Sequence, residues 1–379
     1  MVTKATAKAD DKALFDVSPA ALAKELAEVR EKIERGAKLL SALKEDEIEI
    51  ALTPKDLVFS ADMVTLHRYR PIVANPLPIP VLISYALIGR YQMIDLEQER
   101  SFVKKLLAQG LDVYVIDWGK PKRAQRWLAI DDYVNGYLDD CVDVVRERTG
   151  AQAINLLGIC QGGVFSLCYA ALHPEKVKNL ILTVTPVDFH ADRGHEKPAS
   201  GYMNLWTRAT RDEDVDLMVD AWGNLPGPIV GFSFLMMNPV ANIGKYTTDL
   251  LGVIDDERKL KGFLRMERWI ADRPDHPGEV LRQWLRDFYI HNRLVKNQVE
   301  LGGKRVDLRK VTMPVLNIFA AEDVIVPPPT SRGLKGRVGT ADYTEIEVPG
   351  GHIGTFVGSK AQNILAPRIV EWLKARIER

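Results

Sequence analysis

Short apolar runs separated by amphipathic segments dominate two parts of the chain, and they predict alternating strands and helices. Segments near 92–109, from Asp131 to Arg148, and after Cys160 have helical periodicity. The apolar runs are almost continuously apolar, as expected for strands that are covered on both faces. This alternation predicts a mostly parallel, doubly wound α/β sheet. In the first part, the runs rich in β-branched and aromatic residues are 80–87, 112–119, 153–160 and 179–186.

From about 187 to 300 the strand pattern stops, and the chain reads as helices and loops with four of its seven tryptophans. The strand rhythm returns at 313–323 and 343–352, and a final amphipathic helix carries Trp372. We therefore predict an α/β core formed by residues 50–186 and 301–379. A helical cap, residues 187–300, is inserted into it.

Residues 1–49 are predicted to be a mobile segment followed by one long helix. Residues 1–17 are polar, and Ser18 and Pro19 suit an N-cap and a first helical position. Apolar positions then recur at spacings of four and three, which indicates an amphipathic helix. The pattern leaves two alternatives open, since this face either packs on its own domain or meets a partner helix. These positions are Leu22, Leu26, Val29, Ile33, Gly36, Leu40 and Leu43.

Composition narrows the function classes. Lys plus Arg equals Asp plus Glu at 51 each in 379 residues, which gives no indication of a nucleic-acid or anionic membrane partner. No apolar run reaches the roughly 18 residues of a membrane span, and the N-terminus lacks the apolar segment of a secretory signal. We therefore expect a cytoplasmic protein. Three cysteines without paired ligand spacing predict neither a disulfide scaffold nor a metal site.

The stretch Gly158-Ile159-Cys160-Gln161-Gly162 lies between a predicted strand and a predicted helix. This is the layout of a nucleophile elbow, with cysteine as the nucleophile. Glycines on either side would avoid clashes in the sharp turn, and Gly163 would add room between helix and strand. The backbone N–H of Gln161 would face a developing oxyanion. The motif alone leaves open that Cys160 is a buried structural cysteine.

An acid and a base are expected after the nucleophile, in that order. Asp323 follows one late strand and His352 follows the next, so both lie at carboxyl ends of strands, where open parallel sheets build their sites. The second oxyanion donor is expected in the loop 85–91, and we assign it to the backbone N–H of Leu87.

Several residues compete with these assignments, and structural roles are expected for them. Asp117 and Asp188 also follow strands, and Asp188 is a candidate hinge of the cap. Cys141 and Cys168 lie on predicted helices and are expected to pack in the apolar core. The remaining histidines are His67, His173, His190, His195, His276 and His291.

Together, four segments resemble the polyhydroxyalkanoate synthases: LLGICQGG, TPVDF, AEDVIVPP and PGGHIG. The likeness runs from about residue 50 to the C-terminus, and the short chain is similar to the catalytic subunit of the two-component, class III enzymes. The resemblance implies an α/β-hydrolase core and a catalytic triad of Cys160, His352 and Asp323. One departure is Val324, because many relatives have histidine directly after the acidic residue.

The resemblance also implies an acyltransferase of polyhydroxyalkanoate biosynthesis. Such an enzyme polymerises (R)-3-hydroxyacyl-CoA, typically 3-hydroxybutyryl-CoA, and releases CoA. His352 would serve as base, and Asp323 would either orient His352 or activate the chain hydroxyl itself. No cofactor is expected beyond the CoA of the substrate. The implied partners are an accessory subunit, a second copy of the chain in a dimer, and the polyester granule. A thioesterase or ester hydrolase with the same triad remains an alternative, as does a non-catalytic granule assembly protein.

Overall fold

The computed structural model describes residues 18–192, 202–237 and 243–377, and an eight-stranded sheet forms its centre. The predicted mobile segment 1–17 and His195 lie outside the described residues. The strands of this sheet are β1 (Lys55–Ala61), β2 (Val64–Tyr69), β3 (Val81–Ser84), β4 (Val113–Asp117), β5 (Ile154–Ile159), β6 (Val177–Thr183), β9 (Val315–Ala320) and β10 (Tyr343–Val348). A separate short hairpin consists of β7 (Glu300–Leu301) and β8 (Lys304–Arg305).

The strand order is β1-β2-β4-β3-β5-β6-β9-β10, and every pairing from β4 to β10 is parallel. This confirms the predicted doubly wound α/β core. Strand β5 lies in the middle of the sheet, with Gly158 opposite Ser84 of β3 and Ile159 opposite Thr183 of β6. The carboxyl end of β5 is therefore flanked by two parallel strands whose own ends can supply functional groups.

The residues of the central strands alternate between two apolar cores, one on each face of the sheet. Leu156 and Leu180 belong to one core, and Leu157, Ile159 and Ile181 belong to the other. Because both faces are covered, polar positions are rare in these strands, which explains their continuous apolar runs.

Helices flank the sheet. Along the chain, the described residues between β6 and β7 form helices and loops. The helical segment predicted at 92–109 is an exception, because the α-helix begins at Phe102. The buried carboxylate of Asp95 accepts hydrogen bonds from Thr53 and Ser101, and Ser101 caps the helix. The α-helices are α1 (Pro19–Ala42), α2 (Phe102–Ala108), α3 (Asp139–Thr149), α4 (Gln161–Leu172), α5 (Tyr202–Thr207), α6 (Asp212–Trp222), α7 (Gly227–Met237), α8 (Leu250–Val253), α9 (Glu257–Ala271), α10 (Gly278–Gln283), α11 (Pro328–Arg332), α12 (Gly354–Val357) and α13 (Ser359–Lys374). π-Helical segments 132–138 and 284–290 adjoin α3 and α10.

Strands β1 and β2 were not predicted from the sequence. They form an antiparallel hairpin around Asp62, whose φ of 51° suits a tight turn. No residue of β1 is buried, and in β2 the buried residues Val64, Leu66 and Tyr69 are separated by half-buried polar ones, so neither strand shows the long buried apolar run of the central strands.

The chain separates into two compact units, residues 1–48 with 239–264, and residues 49–238 with 265–379. In the first unit the Ser18 side chain caps α1 as predicted, by accepting from the N–H of Ala21 at 3.1 Å. Gly36 is the buried residue of α1, and it packs on Ile254. All ten described strands and helices α2–α7 and α10–α13 lie in the second unit. The predicted limits of core and cap remain predictions.

The close approach of α4 to Thr185, which follows β6, gives a test of the elbow. A Cβ atom at Gly163 would overlap the side chain of Thr185. We expect Gly163→Ala to lower the free energy of unfolding by about 3 kcal/mol or more, because a buried clash must be relieved by backbone shifts. Denaturant unfolding measures this. Gly136→Ala is the control, since nothing lies within 4 Å of its Cβ position, and unfolding of both variants like the wild type would contradict the predicted packing.

Candidate active site

Cys160 lies in the sharp turn between β5 and α4. Its φ of 55° and ψ of −122° are a backbone conformation that a non-glycine residue rarely adopts. The turn is held by the Cys160 N–H, which donates to the Thr183 carbonyl at 3.0 Å, and by the Cys160 carbonyl, which accepts from the N–H groups of Gly163 and Val164. This confirms the predicted strand–turn–helix geometry, and the residue is 7% exposed.

Asp323 and His352 meet after the last two strands of the sheet. Asp323 Oδ2 lies 2.7 Å from His352 Nδ1, and its Oδ1 accepts from the N–H groups of Ile325 and Val326. The Asp323 side chain is fully buried, whereas the His352 side chain is 11% exposed. The carboxylate therefore fixes the ring orientation of His352 and leaves its Nε2 available to another group. Val324, directly after the acid, is half-buried.

The environment of His352 links it to Cys160. Burial opposes protonation, but the charges of Asp323 and Cys160, and hydrogen bonds with both side chains, raise the pKa of His352 well above its usual value. The structure thus brings the three predicted residues together, with His352 between the acid and the sulfur. This arrangement can activate a thiol for attack on an acyl carbon.

The competing residues have other partners. Asp117 accepts from Arg90 and from the N–H of Gly119, while Asp188 accepts from Arg337 and Asn292. Among the other described histidines, His67 contacts Thr65, His173 contacts Asn135, His190 contacts the Tyr289 carbonyl, and His291 contacts Asp212.

The two residues assigned to the oxyanion hole are in contact with each other. Gln161 is the first residue of α4, so its N–H has no carbonyl partner within the helix. The N–H of Leu87, however, donates to the side-chain Oε1 of Gln161 at 3.1 Å. The Nε2 of Gln161 in turn lies 3.3 Å from Nε2 of His276. The donor role of Leu87 stays a prediction, and in that role its N–H would be shared between this side chain and the oxyanion.

A cavity of about 670 Å³ opens onto Cys160. Its lining is mainly apolar and comes mostly from the region between β6 and β7, with Ile88, Ile325 and Val326 contributed by the core. Such a pocket can hold an acyl chain and exclude water. The lining residues from the helical region include Met203, Trp206, Met218, Phe234, Met237, His276, Trp284 and Tyr289.

Two buried polar residues of this cavity were not assigned to the site from the sequence. Tyr289 is buried, and burial together with the negative charge of Cys160 raises the pKa of its hydroxyl. His276 is buried as well, and an isolated histidine in a loop between helices carries no sequence signal that separates it from a surface residue. The nearby Gly278 and the prolines around it mark a tight loop, but they do not indicate its contact with Gln161.

Cys141 and Cys168 lie in the apolar core. Burial raises the pKa of both thiols, that of Cys168 to about 12. Thiols in such surroundings are poor nucleophiles, as the sequence led us to expect. Across the described parts of the chain we find no cluster of three or more potential metal-binding side chains. Nor does any described helix combine the length and apolarity that crossing a membrane requires.

Comparison with known proteins agrees with this geometry. A model of the alpha/beta hydrolase fold matches residues 79–359, and a model of the poly-beta-hydroxybutyrate polymerase (PhaC) N-terminus matches residues 5–106. The latter match begins well before residue 50, where the likeness of the sequence motifs was expected to start.

Full-length relatives are also similar. The poly(3-hydroxyalkanoate) polymerase subunit PhaC of Allochromatium vinosum is 46% identical, over 96% of this chain and 99% of its own length. That of Synechocystis sp. is 48% identical over 91% of both chains, and that of Thiocystis violacea is 44% identical over 96% and 99%. The chain therefore belongs to the family of poly(3-hydroxyalkanoate) polymerase subunits, built on an α/β-hydrolase fold.

Proposed function

We infer that this protein polymerises (R)-3-hydroxyacyl-CoA, with 3-hydroxybutyryl-CoA as the expected substrate, into polyhydroxyalkanoate and releases CoA. One observation supports this assignment most. In a chain of this family, a strained cysteine beside a histidine–aspartate pair opens into an apolar cavity. The acyl group can therefore be held on sulfur next to space for a polyester chain.

In the first step, His352 takes the thiol proton and the sulfur of Cys160 attacks the thioester carbonyl carbon. The oxyanion is stabilised by the N–H of Gln161 and a donor from the 85–91 loop. The carbon–sulfur bond to CoA then breaks, and His352 returns the proton to the leaving CoA sulfur. One thioester is exchanged for another, so the acyl group stays activated. These steps use groups of this chain alone and need no further cofactor.

In the second step, a 3-hydroxyl oxygen attacks the acyl carbon on Cys160 and forms an ester bond, the carbon–sulfur bond to Cys160 breaks, and the hydroxyl proton passes through His352 to the cysteine sulfur. We assign His352 as the base and Asp323 as the residue that orients it. The Asp323 side chain is fully buried, and both its oxygens are engaged by His352 and by two backbone N–H groups. An incoming hydroxyl would have to displace one of these bonds, whereas His352 Nε2 faces the sulfur side.

The exposed apolar residues of helix α1 support the proposal that the protein has assembly partners. Leu22, Leu26, Val29 and Ile33 are each more than 40% exposed, although they repeat at the spacing of a helix–helix contact. Of the two interpretations of this pattern, the exposure favours an assembly helix. We propose that it meets an accessory subunit or a second copy of the chain, and that the enzyme works at the surface of polyester granules in the cytoplasm.

The product test separates polymerase from hydrolase. We expect purified protein incubated with 3-hydroxybutyryl-CoA to release CoA in step with polymer, because the apolar cavity keeps water from the acyl-enzyme. CoA is measured with a thiol reagent, polymer by gel filtration, and free acid by chromatography. Stoichiometric release of 3-hydroxybutyrate without polymer would establish a thioesterase and overturn the proposal. A reaction with acetyl-CoA, which has no hydroxyl for elongation, serves as the control.

A further inference from the structure

A chain of hydrogen bonds connects the helical region to the predicted oxyanion donors. His276 Nδ1 lies 3.2 Å from the Pro277 carbonyl, and His276 Nε2 lies 3.3 Å from Gln161 Nε2. At its far end, Gln161 Oε1 accepts from the N–H of Leu87 at 3.1 Å. Both His276 and Gln161 are buried, at 1% and 0% exposure. Neither side chain can replace these partners with water at little cost.

Backbone groups at the two ends of this hydrogen-bond series, the Pro277 carbonyl and the Leu87 N–H, determine the direction of every bond in it. The Pro277 carbonyl can only accept, so Nδ1 of His276 carries the proton and Nε2 of the neutral ring accepts. The Leu87 N–H can only donate, so Gln161 presents Oε1 to it and turns its NH₂ toward His276. The two requirements agree, and a reversed amide would face Leu87 with its NH₂ and His276 with its oxygen, losing both bonds.

His276 is suited to keep these hydrogen-bond directions near neutral pH. Burial lowers the pKa of His276 to about 4, although its bond to the Pro277 carbonyl acts in the opposite sense. The ring is therefore neutral near pH 7 and keeps Nε2 as an acceptor.

Gln161 binds the 85–91 loop through a backbone N–H, whereas three other side chains bind carbonyl groups of this loop. The carbonyls of Tyr85, Ile88 and Arg90 accept from Trp118, Arg273 and Trp269, respectively. Gln161, by contrast, holds a backbone N–H, and its own N–H opens α4 directly after the nucleophile. One side chain therefore sets the distance between the two predicted donor segments.

We propose that His276 is a positioning residue that orients the Gln161 amide and thereby holds the 85–91 loop in register with Cys160 for oxyanion stabilisation. This inference rests on the proposed function, because it concerns the acyl-transfer step at the same cysteine. It assigns His276 no contact with the reacting atoms.

The test compares two reactions of the same sulfur in the full-length protein. Release of CoA from 3-hydroxybutyryl-CoA passes through an oxyanion, whereas iodoacetamide is attacked at a saturated carbon and forms none. In His276→Phe, which keeps a ring and removes the acceptor, we expect kcat for CoA release to fall about 10²-fold. We expect KM and the alkylation rate of Cys160, followed by peptide mass spectrometry, to stay within about twofold, because the triad is untouched.

Two conservative variants locate the effect at Nε2. The glutamine side chain reaches the position of Nε2 and can present an oxygen to Gln161, so His276→Gln should recover most of the lost kcat. Asparagine is shorter and reaches only the position of Nδ1, so His276→Asn should remain as slow as His276→Phe.

Three outcomes would overturn the inference: CoA release by His276→Phe at the wild-type rate, an equal fall in CoA release and alkylation, or equal rescue by glutamine and asparagine. The wild type separates this inference from the proposed function. If it makes free acid instead of polymer, the polymerase assignment fails, while the variants still report on CoA release.

Discussion

Cys160→Ala is expected to abolish CoA release from 3-hydroxybutyryl-CoA and to form no polymer. The sulfur is the proposed attachment point of the acyl group, and no other described cysteine lines the cavity at Cys160. Loss of the nucleophile of a triad lowers kcat on the order of 10⁴-fold or more, since the remaining groups act as a unit with it. The measurement is single-turnover release of CoA, with radiolabelled substrate to detect acyl-enzyme.

Cys141→Ala is the matched control for this variant. It removes another buried thiol, from the apolar core, and we expect CoA release within about twofold of the wild type. Circular dichroism and the unfolding midpoint show that both variants are folded. Polymer formation by Cys160→Ala would contradict the covalent mechanism and would support the non-catalytic alternative.

Asp323→Asn is expected to slow CoA release and chain elongation together, by about 10⁴-fold. The substitution keeps shape and size, and Oδ1 can still accept from the N–H groups of Ile325 and Val326. The new NH₂ group, however, faces Nδ1 of His352, which then has to accept and shifts its proton to Nε2. In that tautomer His352 cannot take a proton from Cys160.

Asp117→Asn provides the comparison, because Asp117 also ends a strand of the sheet but binds Arg90 and Gly119. We expect it to leave kcat nearly unchanged. The two steps are followed separately, as a burst of CoA from the first turnover and as growth of polymer. If Asp323→Asn kept a normal burst and lost elongation alone, Asp323 itself would be the base for the hydroxyl, and our assignment of His352 would be wrong.

The local sequence pattern was sufficient to predict the parallel strands and the nucleophile elbow. Strands buried on both faces must be apolar throughout, so β3, β5, β6 and β9 were visible as runs. The hairpin β1–β2 was missed because no residue of β1 is buried and the buried residues of β2 are separated by polar ones. Helix α2 starts later than its periodicity indicates, because the buried carboxylate of Asp95 binds Ser101 at that point.

The residues of the candidate site also separate into those that the sequence could identify and those that it could not. Cys160, Asp323 and His352 were identifiable because chain order and strand ends constrain where a triad can form. His276 was not, since its role depends on a contact with Gln161 that is 115 residues away along the chain.

The amino-acid sequence by itself therefore determined the α/β core, the strained turn at Cys160 and the order of acid and base, because these follow from periodicity and spacing along one chain. Only the tertiary structure decided which side chains line the cavity, that the N–H of Leu87 is already bonded to Gln161, and that His276 orients that amide. Such contacts arise where distant segments pack together, and directional hydrogen bonds between buried groups then select one arrangement.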